Sequence, residues 1–184
     1  QELLGAAAQL AARIAARVVA IQVETTPPTT PEDLSAWGAD HLVVIQPAAA
    51  EEDVAQCVAD WGSRHQPWAM LAPSTTWGRE VASRVAARLG AGLTGDAIQL
   101  DITDNRLVSW KPAFGGRLVA AIRATSPVQM VTVRPGVLPR LTPRAPARPS
   151  VEVLTATPRG RVRLLSSQQN HQLDALVLAT RVVG

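Results

Sequence analysis

The sequence predicts an α/β protein: a mainly parallel sheet in the first half, antiparallel hairpins in the second. Three observations carry this reading. Up to residue 90, apolar β-branched runs alternate with amphipathic helical stretches, which implies right-handed crossovers and a sheet sandwiched between helices. From residue 92 the helical period stops, and short β-branched runs are separated by Asp-Asn, Gly-Gly and Ser-Pro turns. The length of 184 residues suits one domain with an appendage.

The elements follow in order. Residues 1–16 read as an amphipathic helix with Leu3, Ala7, Leu10 and Ile14 on one face. "RVVAIQVE" is a short buried strand, and "TTPPTTPEDLSAWG" a turn-rich connection holding a short helix. Thr30 is placed to cap that helix and Pro31 to occupy its first position. Residues 40–46 form a second strand, "AAAEEDVAQCVADWGSRH" a second long helix, and 67–73 a third strand. "STTWGREVASRVAARLG" is a helix closed by Gly90. Then come the strands "AGLTGDAIQLDIT", "RLVSWKPAF", "GRLVAAIRA" and "VQMVTVRP". Five prolines between 135 and 150 mark a semi-rigid connector. "SVEVLTA" and "GRVRLLS" form a hairpin after it, and "LDALVLATRVVG" a last strand.

Composition excludes several classes. Hydrophobic residues make up 47% of the chain, but no 18-residue apolar run occurs, so no transmembrane segment or signal peptide is expected. The single cysteine, Cys57, rules out a disulfide framework and points to the cytoplasm. Its spacing with Val54, Val58 and Trp61 makes it a small core residue. Seven arginines from Arg134 to Arg163 could meet phosphates, but the stretch carries no aromatic residue for base stacking, so nucleic acid is not an expected partner. Trp61 and Trp68 are expected in the core and Trp77 at the surface.

Candidate sites are few. Gly90, Gly92 and Gly95 spell G-x-G-x-x-G, but a dinucleotide site needs the strand before the glycines and the helix after, and here the order is reversed. The loop Ser74, Thr75, Thr76, Gly78 and Arg79 has the better placement, joining a strand end to a helix start where an anion is favoured. It has one glycine and no lysine, so it is no P-loop; helix capping is its simplest role. His41, His65 and His171 show no metal-ligand spacing, and no G-x-S-x-G elbow is present. These features alone define an α/β domain with no catalytic site of its own. A stand-alone nucleotide-binding domain using the Ser74–Arg79 loop is the alternative.

Two stretches go further. "GREVASRVAARLG" (78–90) and "QMVTVRPGV" (129–137), with Gly115-Gly116 and the opening "ELLGAAAQLAA", resemble the N-terminal domain of electron transfer flavoprotein alpha subunits. The resemblance implies a Rossmann-like three-layer sandwich of the adenine-nucleotide alpha-hydrolase-like type. It implies a heterodimer with a beta-type subunit that carries FAD and moves electrons from acyl-CoA and related flavin-dependent dehydrogenases of fatty acid oxidation towards the quinone pool. On this footing residues 1–137 are the N-terminal domain, 138–150 a Pro/Arg-rich connector, and 151–184 a hairpin and the start of the FAD-domain strand. Arg181 falls on the family's flavin-proximal arginine, while Ala179, Thr180 and Val182 stand where glycines are usual. FAD is therefore expected in the complete protein and not on this chain alone. Arg134 is expected to anchor the domain edge. The family also has a strand ahead of the opening helix, which these residues do not include.

Overall fold

A computed structural model describes residues 1–23, 29–46, 50–160 and 165–166. Its helices are α1 (Glu2–Arg13), α2 (Pro31–Ala36), α3 (Glu51–His65) and α4 (Thr76–Leu89). Its strands are β1 (Val19–Val23), β2 (His41–Gln46), β3 (Ala69–Pro73), β4 (Gly92–Ala97), β5 (Gln99–Thr103), β6 (Arg106–Ala113), β7 (Leu118–Ile122), β8 (Gln129–Val133) and β9 (Ser150–Thr155). Two parallel sheets, β1-β2-β9 and β3-β8-β4, and one antiparallel sheet, β5-β6-β7, result. The expected α/β sandwich stands.

Local chemistry sets the helix ends where the sequence placed them. Thr30 caps α2, its hydroxyl accepting the Asp33 N–H at 3.1 Å, with Pro31 in the first turn. Three acids open α3, while Arg64 lies in its last turn, each sign matched to the helix dipole. Gly90 ends α4 at φ 60°, a left-handed turn glycine makes without strain.

The helices cover both faces of the parallel sheets. α3 and α4 press Val54, Val58, Val81 and Val85 against Ile45 and Met130. On the other face Leu10 of α1 meets Ala97, Leu107, Val131 and Val133, and Leu4 and Leu34 cover Ala20 and Leu42. Successive residues of β8 thus serve opposite cores, and all five are buried. Buried Gln129 is satisfied at both ends: its Oε1 accepts the Leu107 N–H at 2.8 Å, and its Nε2 donates to the Trp68 carbonyl at 3.1 Å.

Two expectations are refined. The run 91–103 is not one strand: Asp96 takes φ 61° and the ladder shifts between Thr94 and Ala97. β4 therefore joins the parallel sheet and β5 turns away into the antiparallel one. β8, grouped by its sequence with the hairpins, lies between β3 and β4 in the parallel sheet.

The proline-rich connector is strapped down. The Gly136 N–H donates to the Glu2 carboxylate at 2.8 Å. Leu141 lies over Gly5, where an added Cβ would meet its Cγ at 3.0 Å. Arg144 bonds three oxygens at the end of α2: the Ser35 carbonyl at 2.9 Å, the Ala39 carbonyl at 3.0 Å and the Asp40 carboxylate at 3.1 Å. The strap delivers β9 to the outer edge of β2, parallel and in register from His41 with Ser150. The expected hairpin mate at 161–164 and the last strand at 173–184 lie outside the described residues.

β1 and β3 are the facing ends of the two parallel sheets. Every residue of both strands lines one partly open cleft of about 610 Å³, together with apolar side chains of α1, α3 and α4. Both strands are apolar yet mostly half-buried, unlike the doubly paired β8.

Candidate functional site

The polar residues gather where β3, β8 and β4 end and α4 begins. β3 delivers Ser74, whose N–H donates to the Val133 carbonyl at 2.7 Å. Thr75 caps α4, its hydroxyl accepting the Gly78 N–H at 3.1 Å, and Thr76 is the first helical residue. Gly78 is required by packing: a Cβ there would lie 2.1 Å from the Pro73 carbonyl oxygen. The strand end and the helix start touch, and that contact fixes the loop.

The anion facing this loop is the protein's own. Asp96, turned by its positive φ, donates its backbone N–H to the Thr132 hydroxyl at 2.9 Å. Thr132 in turn donates to Ser74 at 3.4 Å. The Asp96 carboxylate accepts from Arg134 Nε at 3.2 Å and Nη2 at 2.5 Å, a two-pronged pair. The Arg134 hydrogen bonds hold that carboxyl below its usual range, helped by the Ser74 hydroxyl and the Arg79 charge. The same pair pushes the Arg134 guanidinium up.

Of the sequence-predicted residues, Ser74, Thr75, Thr76, Gly78 and Arg79 come together here. Arg181 lies outside the described residues. Arg134 anchors the domain edge as expected. Asp96 and Thr132 were missed; the one local sign was an aspartate breaking a β-branched run. The Ser74 hydroxyl and the Arg79 charge already act on the Asp96 carboxylate, and the Gly78 N–H is taken by the Thr75 hydroxyl.

The remaining candidates are structural. His41 receives or donates a 2.6 Å hydrogen bond with Ser150 and lies 3.7 Å from Glu152, which also accepts from Trp61 Nε1 at 3.3 Å. That cluster ties β9 to β2 and α3. Burial, then Asp60 and Asp53, push the Cys57 thiol up, the environment of an inert cysteine. Gly90 ends a helix and Gly92 and Gly95 lie in β4, so the three glycines cradle nothing. Trp77 is exposed, and Trp61 is buried. Among the described residues no group of three or more His, Cys, Asp or Glu could hold a metal, and no helix is long and apolar enough to cross a membrane.

Fold and site together define a doubly wound α/β domain whose strand-end loop is closed on an internal carboxylate. The electron transfer flavoprotein domain family matches residues 1–159, and the chain belongs to that family. It is 37% identical over 145 residues to the electron transfer flavoprotein subunit alpha of Thermoanaerobacterium thermosaccharolyticum, covering 76% of this chain and 44% of that one. The corresponding subunit of Clostridium acetobutylicum is 33% identical over 147 residues, again 76% and 44% of the two chains. The lactate dehydrogenase (NAD(+),ferredoxin) subunit LctC of Acetobacterium woodii is 36% identical over 140 residues, 72% of this chain and 33% of that subunit. The protein is thus an electron transfer flavoprotein alpha-like chain that spans less than half the length of these curated relatives.

Proposed function

We propose that this chain is the N-terminal domain of an alpha-type subunit, serving as a structural and partner-docking part of an FAD-containing electron carrier. The observation that carries this is the placement of the two family stretches: residues 78–89 lie in α4, capped by Gly90, and residues 129–133 form β8, and both elements supply residues to the main core. The partner in this reading is a beta-type subunit in the cytoplasm, and electrons come from acyl-CoA-type dehydrogenases on their way to the quinone pool. The chain does no chemistry of its own. FAD supplies the redox step and is held by polypeptide beyond the described residues, with Arg181 as this chain's one candidate contact.

Two measurements test it. Purified 1–184 is expected to be colourless, and stoichiometric flavin absorbance would overturn that placement of FAD. Co-expressed with a beta-type subunit, the full-length protein is expected to co-purify with it; separation on the first column would remove the docking role. The stand-alone nucleotide reading predicts heat on titration with AMP or ATP, which must displace Asp96 from the start of α4.

A further inference from the structure

We propose that Gly95, Lys111 and Thr132 form a binding pocket for hydrogen phosphate near the carboxyl ends of β3, β8 and β4. This activity goes beyond the docking role and stands without it.

Gly95 is the glycine that the fold leaves unexplained. Every other glycine among the described residues either takes a positive φ or would crowd a neighbour at 3.1 Å or less if given a Cβ. Gly95 does neither: its φ is not positive, and a Cβ would find only Lys111 Nζ and Thr132 Oγ1, each at 3.9 Å. The irregularity in β4 does not account for it, because Asp96 and not Gly95 takes the left-handed turn there. Glycine weakens a strand, and where the backbone does not require it, it marks a close approach by something else. As a set with Gly90 and Gly92 it cradles nothing; alone, it keeps open the space beside a cation.

That cation is the chain's one lysine. Lys111 reaches this point from β6, half-buried, and among the described residues it makes no hydrogen bond or ion pair. A half-enclosed ammonium without a counter-charge loses hydration with nothing in exchange. The neighbouring acid does not serve it, since the Asp96 carboxylate is taken by Arg134 and the Ser74 hydroxyl. Arg79, Lys111 and Arg134 thus set three positive charges around one carboxylate. The carboxyl ends of parallel strands are also where α/β sheets take ligands. An anion fits there, and lysine is a common point-charge partner of phosphate.

Thr132 selects which anion. Its hydroxyl proton goes to Ser74 at 3.4 Å, and Ser74 in turn donates to Asp96. One of its lone pairs accepts the Asp96 N–H at 2.9 Å, which leaves the other free to accept. The pocket therefore pairs a cation with an acceptor and suits an anion that carries its own O–H. Hydrogen phosphate presents an oxygen to Lys111 and its proton to Thr132. Sulfate has the same shape and no proton to give at neutral pH, and a phosphate ester lacks one once fully ionised.

The test is calorimetric titration of the full-length protein with inorganic phosphate, sulfate and phenyl phosphate at neutral pH and matched ionic strength. Phosphate is expected to bind saturably, and the other two more weakly by about tenfold or more. Lys111→Met keeps the stem, loses the charge and should weaken phosphate by about tenfold or more. Gly95→Ala should block binding while the Tm stays level or rises, since the methyl meets nothing closer than 3.9 Å and stiffens the unfolded chain. A Gly95 that served the fold alone would lower the Tm on substitution and leave the phosphate heat intact. No phosphate binding by the wild type, or wild-type affinity in either variant, overturns the pocket. Sulfate or phenyl phosphate bound as tightly as phosphate overturns the role of Thr132 and with it the choice of ligand.

Discussion

Replacing Gly78 by alanine is the sharpest probe of how the site is held. The new methyl would meet the Pro73 carbonyl oxygen at 2.1 Å, Pro73 Cγ at 3.0 Å and the Pro73 carbonyl carbon at 3.1 Å. A carbon is comfortable at roughly 3.3 Å or more from a carbonyl oxygen, so the start of α4 must retreat by about 1 Å. Overpacking costs about 1–3 kcal/mol, a 2.1 Å approach to a backbone oxygen falls at the upper end, about 2–3 kcal/mol, and the better helix propensity of alanine returns about 1 kcal/mol. The net destabilisation is about 1–2 kcal/mol, or a Tm lower by about 2–8 °C in a chain of this size. Gly62→Ala is the matched control. It also lies inside a helix, but its Cβ would meet only side-chain ends, Leu89 Cδ1 at 3.1 Å and Met70 Sδ at 3.6 Å, so its Tm should stay level or rise. Urea and thermal unfolding followed by circular dichroism read both. A Gly78→Ala protein as stable as wild type, or a Gly62→Ala protein less stable than it, would refute the close approach of β3 and α4.

Other perturbations read other parts. Because the Asp96 carboxyl is depressed in the folded state, its stabilising share is complete above the unfolded carboxylate range near about pH 4 and is lost as pH falls through the folded value. Arg134→Gln should therefore raise that carboxyl in a carbon-detected NMR titration; unchanged titration would discount the pair. Arg144→Ala should cost about 1–2 kcal/mol and speed amide exchange across 136–149 while leaving α3 and α4 protected; uniform loss of protection would mean that the strap is not a separate unit. Cys57 should react with iodoacetamide more slowly than a free thiol at pH 7.4, because its pKa is raised; faster alkylation would contradict that shift. An apolar five-residue strand fused ahead of Gln1 should enter the cleft between β1 and β3, raising the Tm and slowing exchange in both strands; unchanged exchange would show that the cleft does not admit a strand.

Much of the fold was legible because it is local. The Thr30-Pro31 start, the Gly90 stop and the alternation of β-branched and amphipathic segments each follow from a few adjacent residues. Strand order is not local: β8 has the same apolar composition in either sheet, and only the fold sets it between β3 and β4. The site divides in the same way. Its loop, Ser74 to Arg79, could be read from a strand-to-helix junction. Its carboxylate could not, because Asp96 reaches the loop only through the β4–β8 register and a backbone twist at one residue. The same holds for Arg144, whose grip on the end of α2 spans more than a hundred positions, with Ser35 109 residues away.

The attachment of β9 to β2 also sets a clock. His41 and Ser150 are 109 positions apart, and closing a loop of that length costs about 2 kcal/mol more entropy than closing a ten-residue turn. At about 5–20 residues per second, a ribosome needs about 5–20 s to make the intervening chain. Through that interval β2 offers its outer edge, with the apolar run Leu42 to Ile45 behind it, to any passing strand. The growing chain is therefore most exposed to mispairing at β2, and a chaperone or an early partner would act best by covering that edge until residue 150 arrives.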